Sequence, residues 1–197
     1  MEKKIRLTHT ASSGIFINIE ETAIGIDLFS KDPTGLYQDT PEDLKEKLLE
    51  KIGQGEIQTL LFTHGHGDHF HLPDVMEALR RTPRRTIIST KDVIVGIQKC
   101  LSAAEKDGGG KMGVPGLITA APDIPHLLAI TPENLGNQII KLPGMELELF
   151  NSKHMGAQYA GVQHLAVLLT VAEKKMFVPG DAWPEAELFE RVAKWSS

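Results

Sequence analysis

Cysteine is all but missing: Cys100 is the only one in 197 residues. A single thiol excludes an intramolecular disulfide framework and a cysteine-built zinc site within one chain. It is compatible with a reducing cytoplasm. Long apolar runs are lacking too. No stretch reaches the ~20 apolar residues a membrane span requires. Met1-Glu2-Lys3-Lys4-Ile5-Arg6 lacks the apolar core of a secretory signal. Nor is there a basic excess, since 21 Lys and Arg stand against 26 Asp and Glu, a formal charge of −5. Without an overall positive field to collect phosphates, nucleic acid is not an expected partner. The one basic run, Arg80-Arg81-Thr82-Pro83-Arg84-Arg85, reads as a solvated helix end, where cations are favoured. These absences point to a soluble, cytoplasmic protein.

What is present has the pattern of a layered α/β chain, with one domain expected over 1–197. Ile15, Ile17 and Ile19 alternate as in a half-buried strand. Ile5–Thr8 and Ala23–Leu28 flank that strand as further ones, the last bearing Asp27 near its end. Thr40-Pro41-Glu42-Asp43 predicts a helix start with proline at the first helical position. Leu44, Leu48, Leu49 and Ile52 form the buried stripe of that helix. A strand over Ile57–Phe62 then leads into a histidine-rich loop, and Pro73-Asp74 opens a second helix. Further expected elements are a strand over Thr86–Ser89, a helix around Val93–Ser102, and strands near 127–130, 138–142, 145–150, 163–171 and 175–178. A final helix is expected over about Pro184–Trp195. The glycine-rich segment Gly108–Pro125 is the candidate mobile loop, placed to act as a lid.

Chemistry concentrates in His64-Gly65-His66-Gly67-Asp68-His69, with His71 just beyond. Half of the eight histidines fall between positions 64 and 71, which argues against a chance polar turn. Imidazole and carboxylate donors suit zinc and its transition-metal neighbours. His64 and His66, two apart in an extended segment, can project to one side, while Asp68 and His69 turn toward a second position. The glycines allow a tight backbone path. A solvated turn is the bland alternative for these residues.

This loop resembles the H-x-H-x-D-H signature of the metallo-β-lactamase superfamily, and further similarities cover most of the chain. Asp27 resembles the first acidic motif, which supports a ligand and is not one itself. Ser152-Lys153-His154 resembles the motif that donates a third histidine. Val178-Pro179-Gly180-Asp181 resembles the motif whose aspartate bridges two metals. The opening Thr8-His9-Thr10-Ala11-Ser12-Ser13 is similar to the first turn of the subgroup containing ascorbate-6-phosphate lactonase. The resemblance implies a four-layer αββα sandwich of two mixed sheets. It implies His64, His66 and His154 on one divalent ion, Asp68 and His69 on a second, and Asp181 on both. Zinc is the first expectation, with manganese or iron as alternatives. The implied activity is hydrolysis of a small ester, lactone, thioester or phosphoester by activated water, with Asp68 as the catalytic residue that orients it.

The chain also departs from the pattern. The superfamily's later histidine has no counterpart, because none follows His164, and the fold is expected to be cut short after the helix following Asp181. A fragment, a single-metal variant, or substitution by His71 or a partner subunit would each account for this. A missing strand would leave a sheet edge that favours association, so a homo-oligomer is a further expectation. A nuclease of the same superfamily and a non-catalytic metal-binding protein with an incomplete second site stay open as alternatives. His9 and His164 are candidate substrate contacts, weighed against a turn-stabilising and a packed-strand role. Trp183 is a candidate pocket wall, weighed against core packing. His126 is expected in a loop.

Overall fold

The computed structural model describes residues 4–20, 22–82, 85–106, 126–130, 137–171 and 173–194. The expected lid at Gly108–Pro125, Trp195 of the last helix, and Pro83 and Arg84 of the basic run lie outside the described residues. The chain divides into two compact units, Glu2–Ala129 and Ile130–Ser197.

The first unit is built on a six-stranded sheet in the order β1-β2-β3-β4-β5-β6. β1 (Ile5–His9), β2 (Ile15–Ile19) and β3 (Thr22–Ile26) form an antiparallel meander. β4 (Thr59–Phe62) and β5 (Thr86–Thr90) then join in parallel. Parallel neighbours need a crossover, and α1 (Glu42–Gly53) and α2 (Leu72–Arg81) supply the two. After β5 come α3 (Lys91–Lys106) and β6 (His126–Ile130). Leu48, Leu49 and Ile52 of α1, Val75 and Leu79 of α2, and Val93 and Ile97 of α3 share one cluster with Leu60, Phe62 and Ile87. Burying each such side chain contributes roughly 1.5–3 kcal/mol. All four β4 residues are buried, as in an inner parallel strand. The strand that leads to the histidine loop is therefore its most constrained support.

Thr40 differs from its expected role as a helix start. Pro41 occupies the N-cap position of α1 without a side-chain cap. Thr40 Oγ1 instead accepts the Ser30 N–H at 2.9 Å and donates to the Leu28 carbonyl at 3.1 Å. Its hydroxyl satisfies the chain leaving β3, where buried backbone groups have no strand partner.

The second unit carries a four-stranded sheet in the order β10-β9-β8-β7. β7 (Asn137–Leu142), β8 (Met145–Asn151), β9 (Leu165–Val171) and β10 (Lys174–Val178) run antiparallel throughout. This sheet is thus not mixed: β7 and β8 are joined by the two-residue turn Pro143-Gly144, and no crossover helix separates successive strands. Gly144 has φ +75°, which glycine adopts without strain. A short 3₁₀ turn (Ala157–Tyr159) lies between β8 and β9, and α4 (Ala186–Lys194) follows β10. Leu188 of α4 packs with Phe150, Ala166 and Leu168, joined by Phe177 and Val192. No described helix is long and apolar enough to cross a membrane.

Candidate metal centre

In the first unit the site begins at Asp27, immediately after β3. Its backbone sits at φ +49°, a left-handed conformation that aspartate tolerates better than most residues. The Asp27 N–H donates to the Leu61 carbonyl at 2.9 Å, so the kink remains tied to β4. The carboxylate is buried and fully engaged. Oδ1 accepts the Thr63 N–H at 2.8 Å, and Oδ2 accepts the Thr63 hydroxyl at 2.7 Å and His69 Nδ1–H at 2.8 Å.

These bonds settle which ring nitrogen carries the proton. A carboxylate only accepts, so His69 holds its proton on Nδ1 and keeps a lone pair on Nε2. Thr63 has given its one proton to Asp27, so at 3.1 Å its oxygen accepts Nδ1–H from His64. His64 has the same tautomer. Both rings are fully buried, with centroids 4.2 Å apart, and the His66 ring stands 4.7 Å from that of His64. Asp68 Oδ2 lies 3.5 Å from His69 Nε2, and Ser13 Oγ lies 3.2 Å from the same nitrogen.

The loop's backbone is fixed as tightly as its rings. Lys31 N–H donates to the Gly67 carbonyl at 2.7 Å, and Phe29 bridges Phe70. A Cβ on Gly67 would lie 2.5 Å from the Lys31 carbonyl oxygen, so no side chain fits there without moving backbone. Gly65 is less constrained, because a Cβ there would meet Val93 Cγ2 at 3.3 Å.

In the second unit two loops carry the chemistry, one after β8 and one after β10. They are joined by backbone bonds: Met155 N–H to the Asp181 carbonyl and Trp183 N–H to the Lys153 carbonyl, both 2.7 Å. His154 is buried and donates Nδ1–H to the Met155 carbonyl at 2.6 Å, again keeping the Nε2 lone pair. That nitrogen lies 3.5 Å from Asp181 Oδ2. Tyr159 packs edge-on against the His154 ring at 5.0 Å.

The donor chemistry fits a divalent cation. Ligands bonded at ~2.1 Å in a tetrahedral shell stand ~3.4 Å from one another. The two imidazole–carboxylate pairs, His69 with Asp68 and His154 with Asp181, are each 3.5 Å apart, longer than a hydrogen bond. A histidine ligand whose other nitrogen is bonded to a carboxylate or carbonyl is the usual arrangement around bound metal.

The remaining histidines are occupied differently. His9 donates Nε2–H to the Ser12 carbonyl at 2.8 Å, so it braces the β1–β2 turn. His71 donates Nδ1–H to Asp74 at 2.7 Å, at the start of α2. His164 lies one residue before β9, fully buried, with both ring nitrogens bonded, to Ser152 Oγ and to the Asp181 N–H. It has no nitrogen to spare for substrate. His126 opens β6 where a loop was expected. Trp183 is 48% exposed and does not pack in the core. Sequence patterns alone gave no sign of Thr63 or Tyr159, although Thr63 directly precedes the histidine run, and Ser13 entered only as part of the opening turn.

Across solved structures, this arrangement of strands and helices has clear counterparts. A possible metal-dependent hydrolase from Veillonella parvula aligns over 99% of this chain and 69% of its own length, with TM-score 0.63 and 14% identity. YhfI from Bacillus subtilis, a metallo-β-lactamase fold protein, aligns over 85% of this chain and 53% of its own, with TM-score 0.52 and 13% identity. The chain has the metallo-β-lactamase fold. The same metallo-β-lactamase architecture matches CmlA of Streptomyces venezuelae, a diiron β-hydroxylase, with TM-score 0.56 and 15% identity over 98% of this chain and 33% of that one. The fold therefore hosts more than one reaction, and its chemistry must be argued from the side chains. No family model and no curated protein matches the sequence.

Proposed function

We propose that the protein is a metal-dependent hydrolase of a small ester, lactone, thioester or phosphoester. Its candidate ligands for one or two divalent cations are His64, His66, Asp68 and His69 in the first unit and His154 and Asp181 in the second. The observation that carries this reading is the matched orientation of three buried imidazoles. His64, His69 and His154 are each anchored through Nδ1, with Nε2 kept as the lone-pair nitrogen.

A bound divalent cation lowers the pKa of water and polarises a carbonyl or phosphoryl oxygen. The chain's own residues do the rest. Asp68 orients the attacking water and accepts its proton. Asp27 and Thr63 keep His69 and His64 from rotating, so the donors are preorganised before a substrate arrives. Nitrogen and oxygen donors without thiolate suit zinc, with manganese and iron as alternatives. A small substrate is favoured over nucleic acid because Arg80 and Arg81 are already paired with Glu77 and Glu46.

Elemental analysis of the purified chain, with a panel of generic esters, lactones, thioesters and phosphodiesters, tests the proposal. Replacing His64 and His66 with alanine should remove metal and turnover together. The loss should exceed the ~10–100-fold that removing an outer hydrogen-bond partner costs. Full metal occupancy in that double variant would overturn the ligand assignment. Metal-loaded protein inert on every substrate would instead favour a metal-binding protein without catalysis.

A further inference from the structure

His164 belongs to neither the proposed metal ligands nor the hydrophobic core proper, yet both its ring nitrogens and its backbone carbonyl are bonded. Its backbone carbonyl accepts the Ser152 N–H at 3.1 Å. Its Nδ1 lies 2.7 Å from Ser152 Oγ, and its Nε2 lies 2.9 Å from the Asp181 backbone nitrogen. A backbone N–H can only donate, so Nε2 is the acceptor and the neutral ring carries its proton on Nδ1. Ser152 Oγ accepts that proton. His164 thus has the same Nδ1–H tautomer as His64, His69 and His154, and its Nε2 is held by a backbone N–H, that of Asp181.

The partners give this a consequence. Ser152 stands two residues before His154 on the loop after β8, and Asp181 lies on the loop after β10. One imidazole thus bonds both of these loops, with its ring 5.7 Å from that of His154. We propose that His164 is a positioning residue for the metal centre, holding the Asp181 and His154 loops at ligand spacing through its neutral Nδ1–H form. The inference rests on the reading that His154 and Asp181 bind metal. The backbone bonds from Met155 and Trp183 align the same loops, but they end on carbonyls and do not fix the Asp181 N–H. Without an acceptor, that part-buried donor would turn the aspartate's backbone in search of another partner.

Two substitutions separate the arms of the bridge. Glutamine can place its carbonyl oxygen near the position of Nε2 and accept the Asp181 N–H. Asparagine reaches only the position of Nδ1 and keeps the Ser152 bond alone. Zinc affinity of the full chain, read by chelator competition, should fall about 10–100-fold in His164→Asn. It should stay within about threefold of wild type in His164→Gln, since the outer partner that sets affinity is retained. Circular dichroism confirms that both variants fold. A long-range ¹H–¹⁵N spectrum of the metal-free protein should show His164 as the Nδ1–H tautomer, a readout independent of any loaded enzyme. Wild-type affinity in His164→Asn, or an Nε2–H tautomer, would overturn the proposal. His154→Ala serves as the control for the underlying reading: unchanged zinc stoichiometry there would defeat the ligand assignment itself, whatever His164 does.

Discussion

The two regions that carry the proposed ligands are held by different means. In the first unit, four donors lie in one short loop, supported by a buried parallel strand and locked by the Asp27 carboxylate through Thr63 and His69. In the second, His154 and Asp181 sit on separate loops, brought to 3.5 Å by two backbone bonds and one buried imidazole. The first region is local and charge-anchored. The second is assembled from distant segments and relies on neutral hydrogen bonds. A buried carboxylate with three donors is costly to disturb, because removing it strands every donor at once. Neutral bridges are weaker individually, and their loss is felt as lost alignment more than lost stability.

Substitutions that break this comparison should rank accordingly. Asp27→Ala should have the largest effect, since it leaves the Thr63 N–H and the His69 ring without their acceptor. The expected cost is about 1–3 kcal/mol for each donor left without a partner, read by denaturant titration, together with loss of zinc. A variant that unfolds at the wild-type midpoint would show that the carboxylate does not anchor the loop. Gly67→Ala should come next. Its Cβ has 2.5 Å to the Lys31 carbonyl, so the loop must shift, at a cost of roughly 1–3 kcal/mol as in other overpacked sites. The same substitution at Gly65 should be milder, and equal effects at both positions would contradict the packing argument.

A third substitution sharpens the comparison by lying outside both regions. The Glu77 carboxyl is held down to about 2, from an ordinary value of 4.5, by its hydrogen bond to Arg80 and then by Arg81. A folded-state pKa below the unfolded value stabilises the protein above that unfolded value. The contribution is then lost as pH falls from about 4.5 toward 2. Because the pair is part-exposed, its contribution is at most about 1 kcal/mol. Glu77→Gln should therefore flatten acid unfolding slightly over that window and leave zinc affinity unchanged. A shift in zinc affinity would mean that α2 transmits strain to the histidine loop.

Much of the first region was legible because its information is contiguous. Alternating isoleucines, a buried strand and a histidine run leave few local conformations, and Asp27 stood where a supporting acid was expected. The second region was legible only as isolated motifs. His154 and Asp181 could be nominated, but His164 stood evenly between a substrate contact and a packed strand residue. Its partners are a hydroxyl and a backbone N–H, and the latter leaves no mark on residue identity. Thr40 misled for the same reason: its hydroxyl serves the backbone leaving β3 and not the helix it precedes. Trp183, weighed as a core residue, is half exposed.

By itself the sequence determined which residues are chemically able to bind a metal, and which segments are strands and helices. Those depend on side-chain type and on periodicity along the chain. Tertiary structure decided which nitrogen of His64, His69, His154 and His164 keeps its lone pair. That choice is made by whatever donor or acceptor the fold brings against the other nitrogen, and such partners come from far along the chain or from the backbone.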